Sequence, residues 1–306
     1  MKLPVLGMAI LFLVGPAVAV ADDLEDAVQS LKDAVAKKDV ETVKKLAATI
    51  RPMTAEIVAQ AAPAGADEKK EWEERVAYAK STQLYVESAF YTVAVQSEPA
   101  VTVDLLSALE QQNPKSKYLN MSYGAYLLAL DKSGAKAKAP AVAEKGLANF
   151  PENDDLLLYM IVAANAQKPP QLDRALAFAN RLTAALNKRG KPEGMAAADW
   201  DRKRNAELGY GYYTAGTISF GKGVYVAADK NLRAALPLLQ GQPDMLAPAF
   251  LYLGRADYNL AKMTNNKAKM VEAAKFSEQS MAIPGPFQDQ ARHNSLVMKD
   301  EAAKMR

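Results

Sequence analysis

From Asp22 onward, apolar residues recur at intervals of three and four almost to the C-terminus, a spacing that predicts amphipathic helices joined by short polar breaks. Ala27, Leu31 and Val35 form one stripe, and Val40, Val43, Leu46 and Ile50 a second. The polar triplet Lys37, Lys38, Asp39 between them predicts a helical hairpin over residues 22–66 that acts as an N-terminal cap. Pro63 and Gly65 then interrupt the pattern, and Asp67 is placed to cap a charged helix that runs as far as Gln96, with Trp72 packing where it meets the hairpin. Helical units continue over 67–286. Residues 187–205 form a turn-rich, cationic insertion whose helical part carries Asp201, Arg202, Lys203 and Arg204 on its wet face. The segment Tyr212 to Leu236 reads as two short helices broken at Gly221, Lys222 and Gly223. Beyond Pro284 and Pro286, residues 287–306 predict a terminal amphipathic helix covering an exposed end.

Small residues recur within these units. Gly216, Ala228 and Ala235 are separated by 12 and 7, and Ala89, Val101 and Ala108 repeat those offsets with Pro114 closing the unit. Gly124 lies 35 residues after Ala89, and Gly254 lies 38 after Gly216; Phe150 and Pro151 end another unit. The pattern resembles the tetratricopeptide repeat (TPR), a helix–turn–helix unit of about 34 residues. The resemblance covers about 83–284. It implies an all-α fold, a right-handed superhelix of stacked antiparallel helix hairpins (a TPR-like α-solenoid). Unit spacings of 35, 39 or 37, about 53 and 38 depart from the family period, so a different α-solenoid stays open. In such an array the first helix of each unit lines a concave groove. Carried over by position, the resemblance places Tyr210, Tyr213, Phe220, Leu251, Arg255, Tyr258 and Asn259 there. A groove of this kind takes a protein or peptide segment, with Arg and Asn holding its backbone and aromatics its side chains.

Lys2, the apolar run from Val5 to Val14 and the Ala19, Val20, Ala21 junction predict a leader over residues 1–21, and therefore an exported, periplasmic or secreted protein with no stable membrane anchor after cleavage. The chain has no cysteine, which removes disulfides and thiolate metal sites. With 38 Lys plus Arg against 35 Asp plus Glu, its net charge of +3 argues for neither nucleic acid nor an anionic membrane as partner.

Signals for catalysis, cofactors and metals are weak. Residues 216–223 come close to a phosphate-binding GxxxxGK[ST] loop, but Gly223 replaces the hydroxyl and no strand precedes it. His293 is the only histidine, and the adjacent Asp154 and Asp155 follow Pro151, where helix-capping acids are expected. The expectation is a non-enzymatic scaffold with no catalytic, cofactor or metal residues. Two alternatives remain: an all-helical exported enzyme acting on a glycan or peptide through carboxylates brought together by the fold, and a small-ligand module using the tyrosines.

Overall fold

The computed structural model describes residues 16–192 and 194–305. Most of the leader expected over 1–21 lies outside the described residues. Among those described there are thirteen α-helices and no strand, and consecutive helices pack on one another. The all-α class and the hairpin character of the sequence are therefore present. No helix among the described residues is long and apolar enough to cross a membrane. The chain forms two compact units, Met1–Ala137 and Lys138–Arg306.

The first unit contains α1 (Pro16–Lys37), α2 (Val40–Ala59), α3 (Ala66–Ala94), α4 (Pro99–Gln112) and α5 (Lys117–Lys132). The chain reverses between α1 and α2 at the predicted triplet. Lys38 adopts a left-handed φ of 54°, and Asp39 accepts the Thr42 amide at 3.1 Å to cap α2. The buried stripe of α1 is Leu24, Val28, Leu31 and Ala34, displaced from the predicted Ala27 and Val35, which are half-buried; only Leu31 is common to both. It meets Val43, Ala47 and Ile50 of α2. One expected cap is corrected. The α3 helix begins at Ala66, so Asp67 sits inside its first turn, where its charge favours the helix dipole without capping the end. Trp72 packs as expected, its indole donating to the Gln60 carbonyl at 3.1 Å and tying α3 to the end of α2.

The second unit contains α6 (Ala139–Asn149), α7 (Asp154–Ala166), α8 (Leu172–Lys188), α9 (Ala197–Gly221), α10 (Tyr225–Ala235), α11 (Pro243–Thr264), α12 (Lys267–Met281) and α13 (Gln288–Lys304). Its largest departure from expectation is α9. The helical part of the predicted insertion and the first helix of the Tyr212 unit are one continuous helix of 25 residues. Two glycines inside this helix serve close approach: a Cβ at Gly211 would lie 2.9 Å from Thr183 Cγ2, and one at Gly209 3.2 Å from Leu238 Cβ.

The two glycines at small-residue positions are close-contact sites. A Cβ at Gly216 would stand 2.6 Å from Leu232 Cγ of α10, and one at Gly254 would stand 2.9 Å from the Ala273 carbonyl of α12. These distances let the backbones of each hairpin approach as the sequence pattern requires. At the C-terminus, α13 buries Ala291, Ser295, Met298 and Ala302 while packing on α12.

Candidate functional site

The residues read as groove-lining come from α9 and α11. Along α9, Tyr210, Tyr213 and Phe220 fall on one face with Thr217, whose hydroxyl donates back to the Tyr213 carbonyl at 3.0 Å. Phe220 is the centre of the assembled patch. Its ring centroid lies 5.4 Å from that of Tyr252 on α11 and 5.9 Å from that of Tyr225 on α10, both tilted. The Arg255 guanidinium sits over the Phe220 ring at 4.9 Å. Phe220, Tyr225, Tyr252 and Arg255 are all half-buried, so each keeps some surface in water, and the three rings pack on the core around Leu232 and Leu253. Tyr213 shares this setting. Burial, with neighbouring Tyr252 and Tyr210, pushes its phenol up to about 12, so it stays neutral and keeps its O–H as a donor.

The other predicted positions divide. Leu251 is only 1% exposed and belongs to the core, which corrects its assignment as a lining residue: the stripe it shares with Arg255 and Tyr258 is covered at its level and reaches water only further along α11. Asn259 is half-buried and gives its amide N–H to the Arg255 carbonyl at 2.7 Å, so its donor is used within its own helix. Tyr258 lies a turn beyond Arg255, packs on the Ala261 and Met270 cluster, and carries Lys262 over its ring at 5.7 Å. Tyr225 and Tyr252 complete the patch, although the repeat positions did not select them. Their signal in the sequence was the crowding of tyrosines in two adjacent units.

Two buried charge networks lie in the same unit. In the first, Lys203 of α9 reaches Asp154 at 2.6 Å, Asp155 at 3.0 Å and Glu207 at 2.5 Å, while Arg189 reaches Asp154 at 2.6 Å. This corrects two expectations. Asp154 and Asp155 do not cap α7, a role taken by Asn153, whose side chain accepts the Leu156 amide at 2.9 Å. Lys203 and Arg204 are not on a wet face: both are half-buried, and Arg204 donates to the Leu186 carbonyl at 3.0 Å. Burial would raise Asp154, but the cations of Lys203 and Arg189 outweigh it and hold the carboxyl below its usual range. Glu207 goes the other way. Burial, reinforced by the charges of Asp154 and Asp155, lifts it to about 7 against the pull of Lys203. Oxygens of these three carboxylates lie within 4.8 Å of one another, close enough for a divalent cation, but the Lys203 ammonium already bonds to all three.

The second network joins three helices. Arg233 of α10 contacts Asp229 at 2.6 Å, Asp257 of α11 at 2.5 Å and Glu272 of α12 at 2.8 Å, and Lys269 contacts Asp257 at 2.8 Å. Asp257 has no exposed side-chain surface. Burial and a hydrogen bond with Asp229 raise its carboxyl to about 7, while Asp229 stays below its usual range through that bond and the cations of Arg233 and Lys269.

The phosphate-loop resemblance dissolves on the fold. Residues 216–221 are the last turns of α9, so their amides are committed to helix bonds. His293 is exposed on α13. No protein-family model matches this chain, and a search of curated proteins returns no significant match.

Proposed function

We propose that this protein is a non-enzymatic, exported scaffold of the tetratricopeptide-like α-solenoid type, whose hairpins in Lys138–Arg306 stack with a right-handed twist and bind a protein or peptide segment. The observation that carries the reading is the Phe220 patch. Two tyrosines and a guanidinium surround one half-buried ring, and they are contributed by the first helices α9 and α11 and the intervening α10. Rigid aromatics anchor a partner at low entropic cost, and a guanidinium with spare donors holds a carbonyl or carboxylate. The glycan- or peptide-cleaving alternative needs a carboxylate pair that a substrate can reach. Asp257 is fully buried and Glu207 only 7% exposed, which favours the scaffold.

The test is a display selection of random peptides on the full chain, followed by affinity measurement on wild type and Arg255→Ala. The reading predicts an enriched consensus whose affinity falls by more than about 1 kcal/mol in the variant while its melting temperature stays unchanged. A selection that enriches nothing, or peptides that bind the variant equally well, would remove the patch from consideration.

A further inference from the structure

Within the first unit, α2 contains a proline where a helix interior disfavours one. Pro52 has no N–H to give, so the helix leaves the Ala48 carbonyl without its usual partner. Both residues border a cleft of about 570 Å³ between α2, α3 and the end of α4, within the range of small-molecule sites. Two opposite charges enter this cleft and do not pair. Arg51 donates one N–H to the Gln112 carbonyl at 3.1 Å, and Glu87 accepts the Asn113 side-chain amide at 2.7 Å. Gln112 and Asn113 are neighbours at the end of α4, so both charges are tethered to adjacent anchors. Among the described residues, neither has an ion-pair partner, and most donors of the guanidinium and one carboxylate oxygen remain uncommitted. Gln83 gives its N–H to the Thr54 hydroxyl at 3.3 Å, which leaves its carbonyl oxygen as a further acceptor.

The cleft therefore offers a cation and amide N–H groups together with a carboxylate and carbonyl oxygens, above the small apolar surface of Val86 and Ala55. No aromatic side chain lines it among the described residues, which disfavours sugar rings and nucleobases, both of which stack. We propose that this cleft binds a small zwitterion, an amino acid or short peptide with small apolar side chains, its carboxylate on Arg51 and its ammonium shared by Glu87 and the Ala48 carbonyl. The site is separate from the α9–α11 patch, and its success or failure leaves that reading untouched.

Isothermal titration of the full chain with trialanine, N-acetyl-trialanine and trialanine amide tests it. Trialanine should bind, and each capped form should bind at least about ten-fold more weakly, since each loses one charge-assisted contact. Glu87→Gln keeps an oxygen for Asn113 and should erase the preference for a free ammonium; Arg51→Gln should erase the preference for a free carboxylate. Absence of trialanine binding at millimolar concentration, or capped peptides that bind wild type as well as the free one, would overturn the proposal whatever the variants do.

Discussion

Replacing Gly254 with alanine should destabilise the protein, against the ordinary preference of helices for alanine. In an open helix the change gains about 1 kcal/mol through propensity. Here the added Cβ would lie 2.9 Å from the Ala273 carbonyl and 2.9 Å from Ser277 Oγ. The first is backbone, so no rotamer change relieves it and α12 itself must shift. Overpacking of this kind costs about 1–3 kcal/mol, which leaves a net loss on the order of 1 kcal/mol. Gly216→Ala should behave similarly, because its nearest neighbour, Leu232 Cγ at 2.6 Å, belongs to a fully buried side chain. Gly221 is the control: it ends the same α9 helix, and a Cβ there would meet nothing within 4 Å, so alanine should stabilise by up to about 1 kcal/mol. Urea unfolding followed by circular dichroism gives all three midpoints under one condition. A Gly254→Ala variant at least as stable as wild type would refute the close-contact assignment and the hairpin register built on it.

Arg233→Ala should cost about 2–3 kcal/mol in the same assay, since it strips the buried Asp257 of one of two cations; the partial exposure of Arg233 and the remaining Lys269 keep the loss below that of a fully buried pair. The Glu207 carboxyl sits at about 7 when folded against an ordinary 4.5, so the folded state holds a proton that the unfolded chain releases, and this contribution to stability is lost as pH rises through that window. Glu207→Gln should remove the slope, so the stability of wild type relative to the variant should decline between about pH 5 and pH 8; parallel urea midpoints across that range would contradict it. Leu251→Ala should lose about 2–5 kcal/mol of stability as a core cavity, whereas truncating the half-buried Arg255, one turn along the same stripe, to alanine should lose under about 1 kcal/mol; equal melting temperatures would mean that Leu251 is not a core residue.

Much of this architecture is written in local periodicity, which a single sequence displays. The turn at Lys38 and Asp39, the long α3 helix, the small positions Gly216 and Gly254 and the terminal helix α13 each depend on residues a few positions apart. The continuity of α9 was not legible because Gly209 and Gly211 lower helix propensity across the junction of the two predicted segments, and the close packing on Leu238 and Thr183 that requires them is long-range. Burial on α11 was only partly legible: Leu251 and Arg255 share one stripe at i and i+4, but the sequence does not show that the stripe is covered at Leu251 and reaches water at Arg255. The charge networks were not legible. Lys203 and its acids Asp154 and Asp155 lie 49 and 48 residues apart, and a cation-rich stretch reads as surface until the fold supplies those partners. The cleft at Arg51 and Glu87 was missed for the same reason, although Pro52 inside an otherwise helical stripe was a visible irregularity.

The central claim is that α9 and α11 present a partner-binding face around Phe220. Photo-crosslinking with a display-selected peptide bearing a benzophenone, followed by mass spectrometry of the digested complex, tests it most directly. The account predicts adducts within 213–225 and 252–258, diminished by Arg255→Ala. Adducts confined to α12 and α13 or to Met1–Ala137, and unchanged by that substitution, would contradict it.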